Sequence, residues 1–122
     1  GESWARVLDT MRSTNTVVTI SPSNPKAVYT GGEHAFYRSS DGGETWQKLW
    51  RRAEHCWGPP GFRAGFPISA VVHPDDPMTV FANNYSGGVF KSTDGAETWI
   101  DCSTGYTGAD LHHVVVPPIT RM

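Results

Sequence analysis

Two aspartates, Asp41 and Asp94, hold the same place in two nearly identical nonapeptides, RSSDGGETW (38–46) and KSTDGAETW (91–99). A pair of carboxyl groups is the usual machinery for cleaving a glycosidic bond. One protonates the leaving oxygen and the other acts as base or nucleophile, at separations of about 5–9.5 Å. Equivalent positions in two copies of a repeat point alike and stay far apart, so this pair is expected to miss that spacing. The neighbouring residues suit another task. An aspartate in a tight turn accepts hydrogen bonds from free backbone N–H groups just after it. Gly42 and Gly95 permit the positive φ such a turn needs. Thr45 and Thr98 add short hydroxyl bonds, and Trp46 and Trp99 bring large apolar area to pack between neighbouring units. The nonapeptide therefore reads as a signature of fold.

Other chemistry-bearing residues cluster in RRAEHCWGPPGFRAGF (51–66), which carries Glu54, His55, Trp57, Phe62 and Arg63. Trp57 and Phe62 can stack on a sugar or a partner's side chain, while Glu54 and Arg63 fix polar groups. The competing expectation is that Trp57 and Phe62 fill a gap beneath a proline-rich loop. Tyr85 and Tyr106 are further candidates, in ANNYSGG (82–88) and STGYTGADLHH (103–113). His34, His55, Cys56, His73, His112 and His113 are scattered without zinc-ligand spacing, so no metal site and no cofactor are expected. PDDP (74–77) recurs as PSNP (22–25), which reads as turn chemistry and not a calcium site. Cys56 and Cys102 either remain two thiols or form one disulfide, which needs Cα atoms within about 7 Å.

The elements that hold these residues repeat. VTISPSNPKAVYTGG (18–32) falls on AVVHPDDPMTVFANN (70–84) at an offset of 52, and the nonapeptides follow at an offset of 53. The repeat overruns both ends: GESW (1–4) matches GETW (43–46), and VVVPP (114–118) matches TISPS (19–23). Each unit reads as four short strands rich in β-branched and aromatic residues, punctuated by Gly, Pro, Asn and Asp. No segment keeps a 3.6-residue period over three turns. Four antiparallel strands every ~40–45 residues describe one blade of a β-propeller. Loops joining strands two and three, and one blade to the next, build the face where propellers bind ligands. The segments 30–35, 51–66, 82–88 and 103–113 are those loops.

SSDGGETW and STDGAETW resemble the Asp box, Ser-x-Asp-x-Gly-x-Thr-Trp, also called the BNR repeat. Ser39, Asp41, Gly43, Thr45 and Trp46 carry that motif in the first copy, and Ser92, Asp94, Gly95, Thr98 and Trp99 in the second. The second copy departs from it, with Ala96 following Gly95 where the first has Gly43, and GESW has Ser3 at the Thr position. Similar boxes occur in sialidases, xyloglucan-degrading glycoside hydrolases, sortilin-type receptors and photosystem II assembly factors, all β-propellers. The resemblance implies that the boxes lie opposite the active-site face. It also implies an exported or extracellular setting. A sialidase-like site would need an arginine triad, a tyrosine nucleophile and a Phe-Arg-Ile-Pro segment, whereas GFRAGFP (61–67) holds only Phe-Arg. The expectation is a non-catalytic module that binds or scaffolds, for glycan or protein. The alternative is a fragment of a secreted glycoside hydrolase whose catalytic residues lie elsewhere.

Composition narrows the classes further. With 122 residues, 38% hydrophobic and 18% charged, the chain can form one ordered domain. A net charge of −2 gives no basic stripe for nucleic acid. No apolar run approaches the ~20 residues of a membrane helix. The expected fold is all-β: an end of one blade (1–10), a full blade (17–50), a long inter-blade loop (51–67), a second blade (68–103) and the start of another (111–122). Propellers close rings of ~4–8 blades. The chain is thus expected to be part of a longer propeller or to assemble as a homo-oligomer.

Overall fold

The structure, a computed structural model, describes residues 15–32, 34–50, 56–59, 67–84 and 88–102. Eight strands form two four-stranded sheets, and no helix occurs among the described residues. The first sheet is β1 (Asn15–Ile20), β2 (Val28–Gly32), β3 (Phe36–Ser39) and β4 (Gln47–Leu49); the second is β5 (Pro67–Val72), β6 (Val80–Asn84), β7 (Val89–Ser92) and β8 (Ile100–Asp101). Every neighbouring pair is antiparallel, and spatial order follows sequence order. Trp46 and Trp99 directly precede β4 and β8. The expected partial blades at 1–10 and 111–122 lie outside the described residues.

Side chains alternate across a sheet, so each sheet has two faces. One face of the first sheet carries Tyr29, Phe36 and Leu49, with Val17 packed beside them. It meets the face of the second sheet that carries Val72, Val80, Ala82 and Phe90, with Ala70 beside them. These residues form one core between the sheets. In repeat register the two faces are not equivalent. The back of the first blade packs on the front of the second.

Trp57 closes that core. It is 1% exposed and lies among rings from both sheets. Its ring meets Phe36 at 4.8 Å and 78°, Trp99 at 5.1 Å and 66°, and Phe90 at 5.7 Å and 82°. Such edge-to-face contacts set the positive rim of one ring against the negative face of another. Phe36 in turn fixes Gly31, because a Cβ there would lie 2.7 Å from the Phe36 ring.

Polar bonds cross the same interface. Tyr29 donates its hydroxyl to the Pro77 carbonyl at 2.6 Å, and burial pushes its pKa up, which keeps the proton on the donor. Arg38 reaches from β3 to the turn before β8. Its Nη1 donates to the carbonyls of Asp94 (3.2 Å) and Gly95 (3.0 Å), and its Nη2 donates to Gln47 Oε1 at 3.0 Å. Near the inner strands, Thr16 donates its hydroxyl to the Pro67 carbonyl.

Trp57→Ala removes the ring that both sheets share. It should cost about 3–5 kcal/mol, the usual range for a buried Trp truncated to Ala. Urea unfolding measures this, and a loss under about 1 kcal/mol would mean that Trp57 is not the interface's main filler.

Candidate functional site

The repeated turn is built the same way twice. In the first sheet the Ser39 hydroxyl donates to Asp41 Oδ1 at 2.7 Å and accepts the Gly43 amide at 2.8 Å. Asp41 Oδ1 also accepts the amides of Glu44 (3.0 Å) and Thr45 (2.9 Å), and Oδ2 accepts the Thr45 hydroxyl. In the second sheet Ser92 donates to Asp94 Oδ1 at 2.8 Å and accepts the Ala96 amide at 2.8 Å. Asp94 Oδ1 accepts the Thr98 amide at 2.9 Å, and Oδ2 accepts the Thr98 hydroxyl. Each turn is then tied to the turn at the far end of the first strand pair, through Gly42 N–H to Lys26 C=O (3.0 Å) and Gly95 N–H to Met78 C=O (2.9 Å).

These bonds decide what the carboxylates can do. The Thr45 hydroxyl and amide and the Ser39 hydroxyl hold the Asp41 carboxyl far below the ordinary carboxylate range. For Asp94, burial pushes upward, but the Thr98 hydroxyl and amide and the Ser92 hydroxyl together outweigh it and lower the pKa. A group that stays anionic to such low pH cannot deliver a proton at neutral pH. The donors all belong to the same turn, so the oxygens are committed to the fold. A second acidic turn follows suit: Asp76 accepts the Thr79 hydroxyl at 2.7 Å and the Met78 amide at 2.9 Å. Asn24 does the equivalent for the Lys26 amide at 3.2 Å.

The two tryptophans diverge. Trp46 is half-buried and donates Nε1 to the Gly43 carbonyl at 2.9 Å. Trp99 is buried between the sheets, 5.0 Å from the Phe36 ring, and its Nε1 has no acceptor. Ala96 adopts φ +73°, which costs an L-residue about 1–2 kcal/mol, but its methyl is buried in the core.

At two points the sequence leaves alternatives open, and the structure takes one of each. Trp57 is enclosed by three rings between the sheets, so it fills a gap and offers no stacking platform to a ligand. Cys56 and Cys102 are both free thiols. Cys56 is buried next to Trp57. Cys102 is exposed, and its amide donates to the Val89 carbonyl at 2.8 Å, which puts it on the sheet face turned away from that core. The cysteines therefore give no argument for export. Glu54, His55, Phe62, Arg63, Tyr85 and Tyr106 lie outside the described residues.

Topology puts the β2–β3 and β6–β7 connections at the end of the sheets opposite the aspartate turns. That end holds buried amides the sequence reading passed over. Asn83 and Asn84 are fully buried, and Asn83 Oδ1 accepts the Ser69 amide at 2.6 Å beside a register shift in β5. Asn15 Oδ1 is buried without a partner. The signal was available: paired asparagines ending a strand run against strand propensity and mark a polar requirement. Among the described residues no group of three His, Cys, Asp or Glu is placed to hold a metal.

No family model and no curated protein sequence matches the chain. Solved structures do. A GH74 enzyme from Niastella koreensis superposes with a TM-score of 0.58 at 22% identity, covering 76% of this chain and 15% of that enzyme. YCF48 bound to a D1 peptide gives 0.59 at 16% identity, over 80% of this chain and 29% of YCF48. YCF48 from Cyanidioschyzon merolae gives 0.56 at 20% identity, again over 80% and 29%. The chain thus spans less than a third of either protein. At these identities the likeness fixes the fold, and both sheets are β-propeller blades.

Two predictions follow from the turns. Gly42 and Gly95 share a φ near +76° (+77° and +75°), yet a Cβ at Gly42 meets nothing within 4 Å while one at Gly95 meets Arg38 Nη1 at 2.1 Å and Met78 Cε at 2.7 Å. Gly42→Ala should cost about 1–2 kcal/mol of backbone strain, and Gly95→Ala about 1–3 kcal/mol more through overpacking. Equal losses in thermal unfolding would contradict the Arg38 contact. The second prediction concerns pH. Folded Asp41 and Asp94 have pKa values below their ordinary 3.8, so the unfolded chain takes up protons first as pH falls. Their stabilisation is complete above about pH 4 and is lost as pH drops through the folded values. Asp94→Ala should cost about 1–2 kcal/mol at pH 7, as loss of a comparable cap does, and should flatten the decline between pH 4 and 2. A variant as acid-sensitive as the parent would contradict this.

Proposed function

We propose that this chain is a non-catalytic Asp-box propeller module that binds or scaffolds a partner, with an extended peptide segment as its ligand class. The observation that carries the reading is the commitment of both repeat carboxylates to their own turns. The residues with a glycosidase pattern therefore serve the fold. The likeness to YCF48 bound to a D1 peptide supports a peptide ligand. The buried Asn15 Oδ1 at the start of β1 accepts no hydrogen bond, which suits a backbone N–H from a partner's extended segment. Glu54, His55, Phe62, Arg63, Tyr85 and Tyr106 complete that surface in this reading, and carbohydrate is the second ligand class. Further blades, from the rest of a longer propeller or from other copies, would complete the ring.

The likeness to GH74 enzymes favours one alternative, a piece of a glycoside hydrolase whose catalytic residues lie outside this chain. A peptide array and a panel of β-glucans including xyloglucan separate the two. The chain should bind selected peptides, and Phe62→Ala or Arg63→Ala should weaken that binding about tenfold, as truncating an aromatic or arginine anchor does. Release of reducing sugar above the blank would overturn the non-catalytic reading, and an array without selective binding would overturn the peptide ligand.

A further inference from the structure

Met78 is the only methionine among the described residues, and it stands where the two sheets and the second aspartate turn meet. Its backbone belongs to the turn between β5 and β6. The N–H donates to Asp76 Oδ1 at 2.9 Å, and the carbonyl accepts the Gly95 amide at 2.9 Å. Its side chain belongs to the joint between the sheets. The sulfur lies 4.0 Å from the Tyr29 hydroxyl of the first sheet, and the methyl lies so close to Gly95 that a Cβ there would meet it at 2.7 Å. Yet the residue is 39% exposed, so the thioether is packed on one side and open to solvent on the other.

The repeat supplies a comparison within the chain. Lys26 is the equivalent of Met78, and its carbonyl accepts the Gly42 amide at 3.0 Å just as that of Met78 accepts Gly95. Lys26 is exposed, and a Cβ at Gly42 would meet nothing within 4 Å. The turn itself therefore does not require a thioether. What sets Met78 apart is the sheet that lies against it.

We propose that Met78 is an oxidation site, where a hydroperoxide converts the thioether to the sulfoxide and the added oxygen loosens the joint between the sheets. With hydrogen peroxide, a sulfur lone pair attacks one peroxide oxygen, and the S–O bond forms as the O–O bond breaks. The departing hydroxide takes the proton from the transferred oxygen and leaves as water. Sulfur gives up two electrons and the peroxide takes them. A thioether is a weak hydrogen-bond acceptor, whereas the sulfoxide is polar. The new oxygen, carried by a sulfur 4.0 Å from the Tyr29 hydroxyl, competes for its single proton with the Pro77 carbonyl at 2.6 Å. The added bulk also falls beside Gly95, whose carbonyl, with that of Asp94, holds Arg38. The two side chains that align the sheets thus share one oxidisable neighbour. Enzymatic reduction of the sulfoxide reverses the change.

The test treats the intact folded chain and Met78→Leu with hydrogen peroxide side by side. A thiol reductant then clears cysteine oxidation, and peptide mass spectrometry locates the added oxygen. Leu nearly matches Met in volume and carries no sulfur, so Met78→Leu should fold and melt near the parent. Peroxide should lower the Tm of the parent by about 4 °C more than that of Met78→Leu, and methionine sulfoxide reductase should restore it. In Tyr29→Phe the same oxidation should lower Tm less, because the competing hydroxyl is gone. A Met78 that stays unoxidised in the folded chain while free methionine in the same solution is consumed would overturn the proposal. So would a sulfoxide at Met78 that leaves the parent's Tm loss equal to that of Met78→Leu and is without effect when reduced.

Discussion

A four-stranded sheet with apolar residues on both faces cannot hide both alone, and everything else in this structure answers that constraint. Among the described residues this is met by laying the back of one sheet on the front of the next and filling the join with Phe36, Trp57, Phe90 and Trp99. Three of these residues come from the sheets or their turns. Trp57 comes from the segment between the repeats, so the connection also supplies the filling. Polar bonds from Tyr29 and Arg38 then fix how the sheets are aligned, which apolar contact alone does poorly because it is non-directional.

The aspartate turns serve the same end. Arg38 can latch onto the next blade only if the Asp94 and Gly95 carbonyls point outward, and the Asp94 carboxylate holds the turn in that shape from within. One residue type thus supplies internal bracing while its backbone supplies the contact surface. A carboxyl group that donates a proton at neutral pH needs a pKa near the working pH, and both of these are held below the ordinary range.

Much of the fold was legible in the sequence because its signals are local. Asp, Gly and Thr at fixed offsets specify a turn whatever surrounds it, and β-branched residues at period two specify strands. The repeat then set the order of the sheets. The candidate site was less legible. Whether Trp57 stacks on a ligand or fills a core depends on residues distant in sequence, Phe36 and Phe90 above all. The spacing of Cys56 and Cys102 could not reveal that one is buried and the other exposed on an outer sheet face. Arg38 looked like an ordinary strand residue, because its partners lie 56 and 57 positions away. Asn83 and Asn84 could have been noticed, since two buried amides at a strand end contradict strand propensity.

The central claim is that the carboxylate-braced turns and the core between the sheets form one cooperative unit. Amide hydrogen exchange followed residue by residue tests it most directly. The Ala96 and Thr98 amides, bonded to Ser92 and Asp94 side chains, should exchange as slowly as those of Val80 and Ala82 in β6 and open with them in one step. Turn amides that exchange at the rate of free peptide while β6 stays protected would contradict the account.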